Sequence, residues 1–280
     1  MVDSWALAPP ELSDRDLSSI ARLVYETSGI NLHEGKRALI AARLQKCLRR
    51  GGFRSFRQYI RHVRSDETGS ELTAMLDALA TNHTSFFREP RHFGFLVDTV
   101  LPPLVAKDAT IRGWSAGCAS GEEPYTMAML IVDAMGIEQS RRVRLLATDL
   151  STKALGLAAA GIYKSARLRD VPLPLSRKYF APGIGTQRGL ARVVPAVREL
   201  VEFRWMNLVQ PSLPIPPQDF IFCRNVMIYF DRAVQQRVIS ALEQRLAPGG
   251  YLFVSHSESL SGIEHRLRWV APSIYRRELR

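Results

Sequence analysis

Residues 111–135 read Ile111-Arg-Gly-Trp-Ser-Ala116-Gly-Cys-Ala-Ser-Gly121-Glu-Glu-Pro-Tyr125-Thr-Met-Ala-Met-Leu-Ile-Val-Asp-Ala-Met135. A β-prone run, Ile111–Ala116, passes through a turn of small residues into a helical pattern over Glu122–Met135. Small side chains after a strand let a ligand approach the backbone and the following helix N-terminus. The turn is not GxGxxG. Glu122 and Glu123 would repel a pyrophosphate, which argues against NAD or ATP. A carboxylate there suits an ammonium or sulfonium cation. Acidic residues in a first helical turn are also ordinary partners of the helix dipole.

Working outward, strand-like and helical stretches alternate. Val143–Thr148 predicts a strand and Ser151–Ala160 a helix. Val201–Met206 and Phe220–Cys223 predict strands, Asp231–Leu246 a helix, and Tyr251–Ser255 a strand after Pro248-Gly249-Gly250. Arg268 to Glu278 offers a final strand pair. Strands separated by helices imply a mostly parallel sheet in an α/β domain. Residues 161–199 interrupt the alternation with four prolines and short β-prone runs such as Leu190–Val194. They predict a small inserted antiparallel subdomain. Before Pro90 the pattern is helical: Leu17, Ile20, Leu23 and Val24 follow the cap candidate Ser13, and a second helix runs from about Glu34 to Gly51-Gly52.

Three further segments carry chemistry. Asp149, at the end of the second strand, is placed to accept both hydroxyls of a ribose; capping of the helix near Ser151 is the plainer reading. Thr81-Asn-His-Thr-Ser-Phe-Phe-Arg-Glu-Pro90 is dense in polar groups around an aromatic pair, and Asn82, Thr84 and Arg88 are expected to reach a cofactor where pockets form between domains. Phe220-Ile-Phe-Cys-Arg-Asn-Val-Met-Ile-Tyr-Phe-Asp231 sets Arg224, Asn225 and Tyr229 at and beyond a strand's C-terminal end, the active edge of an open sheet.

The chain has 280 residues and a formal charge of +11. The excess is local. Residues 33–64 carry ten basic side chains and one acidic; residues 161–199 carry eight and two. Lys36, Arg43, Lys46 and Arg50 fall on one face of the second helix, beside an apolar face of Ile40, Leu44, Cys47 and Leu48. An acidic partner is implied. No apolar run reaches the ~18–20 residues of a membrane span. Met1–Pro10 lacks the features of a signal peptide. Three widely spaced cysteines give no disulfide framework and no metal ligand set, so no metal is expected and the compartment is expected to be a reducing cytosol.

TNHTSFFREP, WSAGCASGEEPYTMAM, ATDLSTKAL, FCRNVMIYFD and PGGYLFVSHSESL, in this order, closely resemble the CheR family of chemotaxis receptor methyltransferases. The resemblance covers nearly the whole chain. It implies an α/β fold in which an N-terminal all-α domain (residues 1–85) joins a class I, Rossmann-like S-adenosylmethionine methyltransferase domain (86–280) with a small inserted antiparallel β-subdomain (161–199). It implies methyl esterification of glutamates on methyl-accepting chemotaxis proteins, with S-adenosylhomocysteine as product. Carried over by motif, cofactor contacts fall on Asn82, Thr84, Arg88, Glu122, Asp149, Asn207, Leu208, Arg224 and Asn225; the choice between Glu122 and Glu123 stays open. Arg88 and Tyr229 are the candidates for orienting the substrate carboxylate and lining the methyl path. The basic helix gains a target in acidic receptor helices, and the insert a target in a C-terminal receptor peptide. A cytoplasmic monomer is expected.

Two rival readings meet the same residues. A nucleic-acid methyltransferase would carry a [DN]PP[YF] motif or a Pro-Cys nucleophile after the fourth strand, where this chain has Cys223-Arg224-Asn225-Val226. A non-catalytic module that senses S-adenosylmethionine would look the same in sequence.

Overall fold

A computed structural model describes residues 10–210 and 214–279. Residues 1–9, on which most of the signal-peptide reading rests, lie outside them. The chain forms two compact units: residues 1–81 with Tyr229–Asp231, and residues 82–228 with 232–280.

The first unit holds α1 (Asp14–Ser28), α2 (Arg37–Arg50), α3 (Phe56–Ser65) and α4 (Ser70–Leu79). Ser13 caps α1 by accepting from the Asp16 N–H, and Ser55 caps α3 through Gln58. Gly29, at φ 70°, ends α1 in the left-handed region that favours glycine. The predicted start at Glu34 is a 3₁₀ turn, Glu34–Lys36, leading into α2. Ile40, Leu44, Cys47 and Leu48 are buried as their spacing requires. The strip Tyr229–Asp231 is pinned within this unit. The Tyr229 carbonyl accepts from Asn31 N–H at 2.9 Å, and Tyr25 Oη donates to Asp231 Oδ2 at 2.6 Å.

The second unit begins with α5 (Pro90–Phe95) and α6 (Leu101–Val105), joined by a π-helical turn. Then come β1 (Ile111–Ala116), α7 (Glu122–Met135), α8 (Ile137–Ser140), β2 (Val143–Asp149) and α9 (Thr152–Ala160). The insert follows: β3 (Ile162–Lys164), α10 (Leu173–Tyr179), β4 (Phe180–Pro182), β5 (Leu190–Val193) and α11 (Pro195–Arg198). The unit ends with β6 (Val201–Trp205), β7 (Gln218–Phe222), α12 (Arg232–Arg245), β8 (Leu246–Phe253), β9 (Arg268–Ala271) and β10 (Ile274–Arg276).

The main sheet has seven strands in the order β6-β2-β1-β7-β8-β10-β9, and the insert forms a separate sheet, β3-β5-β4. The neighbours from β6 to β8 run parallel; β10 is antiparallel to β8 and β9. The insert strands are antiparallel. Strand order reverses direction between β1 and β7, so the ligand crevice of such a sheet lies at their carboxyl ends. Burial fits this plan. β1 and β7 are central and almost wholly buried, on both faces rather than in alternation. Trp114 is 2% exposed and donates its indole N–H to Thr148 Oγ1 at 2.9 Å, tying β1 to β2 inside the core.

Candidate active site

The turn after β1 is built by backbone geometry. Gly117 and Gly121 have φ of 87° and 92°. A Cβ on Gly117 would come within 2.4 Å of Val226, and one on Gly121 within 2.8 Å of Ala158. The turn therefore tolerates no side chain at either position and packs against the segment after β7. The Gly117 and Cys118 N–H groups both donate to the Thr148 carbonyl, at 2.8 and 2.9 Å. Asp149, the last residue of β2, accepts from the Ala119 N–H at 2.8 Å through one oxygen and from the Ser151 N–H at 2.8 Å through the other. The Asp149 carboxylate thus ties the glycine turn to the start of the turn before α9. Ser151, not Asp149, is the N-cap of α9.

Glu122 and Glu123 diverge. Glu122 is 0% exposed. Its Oε2 accepts from Ser120 Oγ at 2.6 Å; its Oε1 lies 2.9 Å from the Arg167 guanidinium of the insert but accepts no well-aligned hydrogen bond. Burial holds its pKa above the usual carboxylate range. Glu123 turns the other way. It accepts from Ser115 Oγ at 2.7 Å and from Arg224 at 3.2 Å, and burial raises its pKa as well.

Arg224 is the centre of a second, deeper arrangement. Its side chain is 1% exposed. It lies 3.2 Å from Glu89 and 3.2 Å from Glu123, donates to the Arg88 carbonyl, and packs over the rings of Phe93 and Phe222. Its guanidinium is thus committed to contacts inside the protein. Asn225 follows at φ 58°, a left-handed conformation for a non-glycine residue. It donates its side-chain amide to Ser255 Oγ at 2.8 Å.

Sequence reasoning missed Glu258, which holds this segment in place. Its carboxylate accepts from the N–H groups of Asn225 (3.0 Å), Met227 (2.9 Å), Ile228 (3.3 Å) and Ser255 (2.9 Å). Burial raises its pKa despite these bonds. The signal was available in Ser255-His-Ser-Glu258, an acidic residue just after an apolar strand, but nothing in the spacing says which loop it serves. His92 was missed too. It is 1% exposed, and burial brings its pKa down to about 4.

The remaining predicted residues fall as follows. Asn82, Thr84 and Arg88 are half-buried on the segment that leads into α5. Arg88 donates to the His83 carbonyl at 3.1 Å and lines a cleft of about 410 Å³ with Asp170 and Pro172 of the insert. Phe86 of the same segment is a core residue, edge-on to Tyr163 and Phe180. Asn207 is buried just after β6, where its Oδ1 accepts from the Val209 N–H, and Leu208 is half-buried beside it. Tyr229 belongs to the helical unit, where its hydroxyl lies 3.4 Å from the Thr81 carbonyl. On α2, Lys46 is exposed, as is Lys36 just before it. Arg50 is exposed but lies 3.3 Å from Glu71. Arg43 is engaged internally: it donates to the Leu79 carbonyl at 2.6 Å and to Thr81 Oγ1 at 3.2 Å, satisfying the end of α4.

The residues present fit an S-adenosyl cofactor. A fully buried carboxylate oxygen without an aligned donor, Glu122 Oε1, suits an ammonium; a carboxylate at the end of β2 suits a ribose; the glycine turn admits a close backbone approach.

Two family models match the chain: "CheR methyltransferase, SAM binding domain" over residues 82–275 and "CheR methyltransferase, all-alpha domain" over residues 15–80. Among curated proteins, the chemotaxis protein methyltransferase of Borreliella burgdorferi is 38% identical over 271 residues, covering 94% of each chain. Chemotaxis protein methyltransferase 2 of Pseudomonas aeruginosa is 38% identical over 261 residues, covering 93% of this chain and 92% of that one. The Escherichia coli chemotaxis protein methyltransferase is 36% identical over 265 residues, covering 94% and 91%.

Proposed function

The chain belongs to the CheR methyltransferase family, and from that premise we propose how its own residues carry out the family reaction. It is an S-adenosylmethionine-dependent enzyme that methylates glutamate side chains of chemotaxis receptors. The observation that carries the reading is the glycine turn between β1 and α7 with Asp149 facing it, at the point where strand order reverses.

The bound cofactor supplies an electrophilic methyl group on a sulfonium. A glutamate carboxylate is ionised near neutral pH and attacks without a general base. With the cofactor bound, its methyl group would pass to the carboxylate oxygen, leaving a neutral thioether and calling for no proton transfer by the protein. The protein then contributes mainly position and electrostatics. Asp149 holds the ribose, and Glu122 is the member of the acidic pair that takes the ammonium: its Oε1 accepts no aligned hydrogen bond and its arginine, Arg167, is partly exposed, whereas Glu123 is bound to Ser115 and the deeply buried Arg224. Asn207 and Leu208 border the adenine. Asn82, Thr84, Arg88 and Asn225 complete the cofactor contacts. Arg224 acts through Glu89, Glu123 and the Arg88 carbonyl as a positioning residue. Arg88 orients the substrate carboxylate, and the Tyr229 hydroxyl takes part in turnover: Tyr229→Phe lowers it, and unchanged turnover removes the hydroxyl from the mechanism.

The helical unit (residues 1–85 in the sequence reading) meets acidic receptor helices through Lys36, Lys46 and Arg50. Arg43 contributes by holding α4. The antiparallel sheet of the insert has free edges on β3 and β4, which suit strand addition by a receptor C-terminal peptide. The enzyme acts as a cytoplasmic monomer. Among the described residues no helix is long and apolar enough to cross a membrane.

The test is transfer of labelled methyl from S-adenosylmethionine to a receptor cytoplasmic fragment, with RNA and DNA alongside. Label on the receptor that is released by mild base, as an ester is, supports the reading. Label only on nucleic acid, or base-stable label on the receptor, overturns it.

A further inference from the structure

Glu89, His92 and His256 converge in the α/β unit, each offering one ligand atom, all within 4.8 Å of one another. We propose that these three side chains form a binding site for a divalent transition cation of the Zn²⁺ class, with a fourth position left to water. Two imidazoles and one carboxylate are a donor set that such cations take, and an open fourth position is common in it. Bonds of about 2.0 Å in a tetrahedron put ligand atoms roughly 3.3 Å apart. The set closes by a shift of at most about 1.5 Å from that 4.8 Å, and His256 is exposed and so able to supply it.

The buried partner carries the argument. His92 is 1% exposed, and neither ring nitrogen makes a hydrogen bond of normal geometry. Its Nδ1 faces Glu89 Oε2 at 3.4 Å, and the ring also meets the Pro272 carbonyl. A neutral imidazole has one N–H and one bare lone pair. With an acceptor on both sides, one lone pair points at an oxygen, and a cation between them removes the conflict. Glu89 Oε2 is likewise buried without a hydrogen bond. The surroundings add to this. Ser255 Oγ donates to the other oxygen of Glu89 at 2.8 Å and so orients the carboxylate, as metal-bound carboxylates are oriented, while Arg224 lies 3.2 Å from Oε2 itself.

Chelator-treated full-length protein titrated with Zn²⁺, and separately with Co²⁺ for its visible absorption, tests the site without any methyl transfer. One equivalent bound, with the intense Co²⁺ bands of a four-coordinate site, is expected. His256→Ala, at an exposed position, lowers affinity about a hundredfold; His256→Cys restores most of it; His33→Ala in the helical unit stays within twofold. No stoichiometric binding by the unaltered protein, or equal affinity in His256→Ala, overturns the proposal.

Discussion

The Glu122–Asp149 corner and the Glu89–Glu123–Glu258 corner both gather carboxylates near the carboxyl ends of central strands, yet hold them in opposite ways. In the first, two backbone N–H groups hold Asp149, while Ser120 and the partly exposed Arg167 guanidinium hold Glu122, whose Oε1 accepts no aligned hydrogen bond. In the second, one deeply buried arginine joins Glu89 to Glu123, and four backbone N–H groups from two loops converge on Glu258. The first corner is made to receive a ligand. The second is made to hold the loops on either side of it. The difference teaches that a motif dense in polar residues is not thereby a contact surface: Arg224 and Glu89 sit in two of the most distinctive stretches of the chain and face mainly each other.

Four changes break or sharpen this contrast. The largest effect is expected from Arg224→Met. It leaves Glu89 and Glu123 buried without their cation, a loss of about 3–5 kcal/mol in denaturant unfolding. Asp149→Ala comes next and acts on the other corner. Removing hydrogen bonds to a charged group weakens cofactor binding by about 1.5–3 kcal/mol, roughly tenfold to more than a hundredfold by calorimetric titration. Glu258→Gln deprives some of four backbone N–H groups of their acceptor and costs about 1–3 kcal/mol of stability. A loss of cofactor affinity goes with it, because Asn225 loses its hold. The smallest effect belongs to the surface. Lys36→Glu with Lys46→Glu raises KM for receptor severalfold at low salt while kcat stays within twofold, and the difference shrinks as ionic strength rises.

Much of the fold was legible because the sequence has few ways to arrange it. The helix from Glu122 to Met135 and the strand from Ile111 to Ala116 are found as their periodicity predicts. The insert shows itself by prolines that interrupt the βα alternation. The end of the second strand runs one residue further than expected, to Asp149, because β6 pairs with it there. The strand before Gly249 was not predicted at all: β8 begins at Leu246, across Pro248, since pairing with β7 shifts register between Gln218 and Phe220 and takes up the irregularity. The segment 229–231 was read as part of the α/β motif, and its allegiance to the helical unit rests on pairing with Ile30 and Asn31, far away in sequence.

The site was legible in part. Asp149 and the glycine turn follow from the order strand, turn, helix. Helical spacing put Arg43 with Lys36, Lys46 and Arg50, but spacing cannot see the open carbonyls at the end of α4 that Arg43 satisfies. Glu258, His92 and His256 carry no local pattern, since their partners come from loops brought together only by the sheet. For the same reason a sequence without a ligand cluster still yields three convergent metal-type ligands.

The contrast between the two corners is tested most directly by measuring cofactor affinity and unfolding free energy together in Asp149→Ala and Arg224→Met. The account predicts that Asp149→Ala loses more than tenfold in affinity and at most about 2 kcal/mol in stability. It predicts that Arg224→Met loses 3 kcal/mol or more in stability, by about the range expected for an orphaned buried charge. An Arg224→Met protein of unchanged stability that no longer binds the cofactor would contradict it.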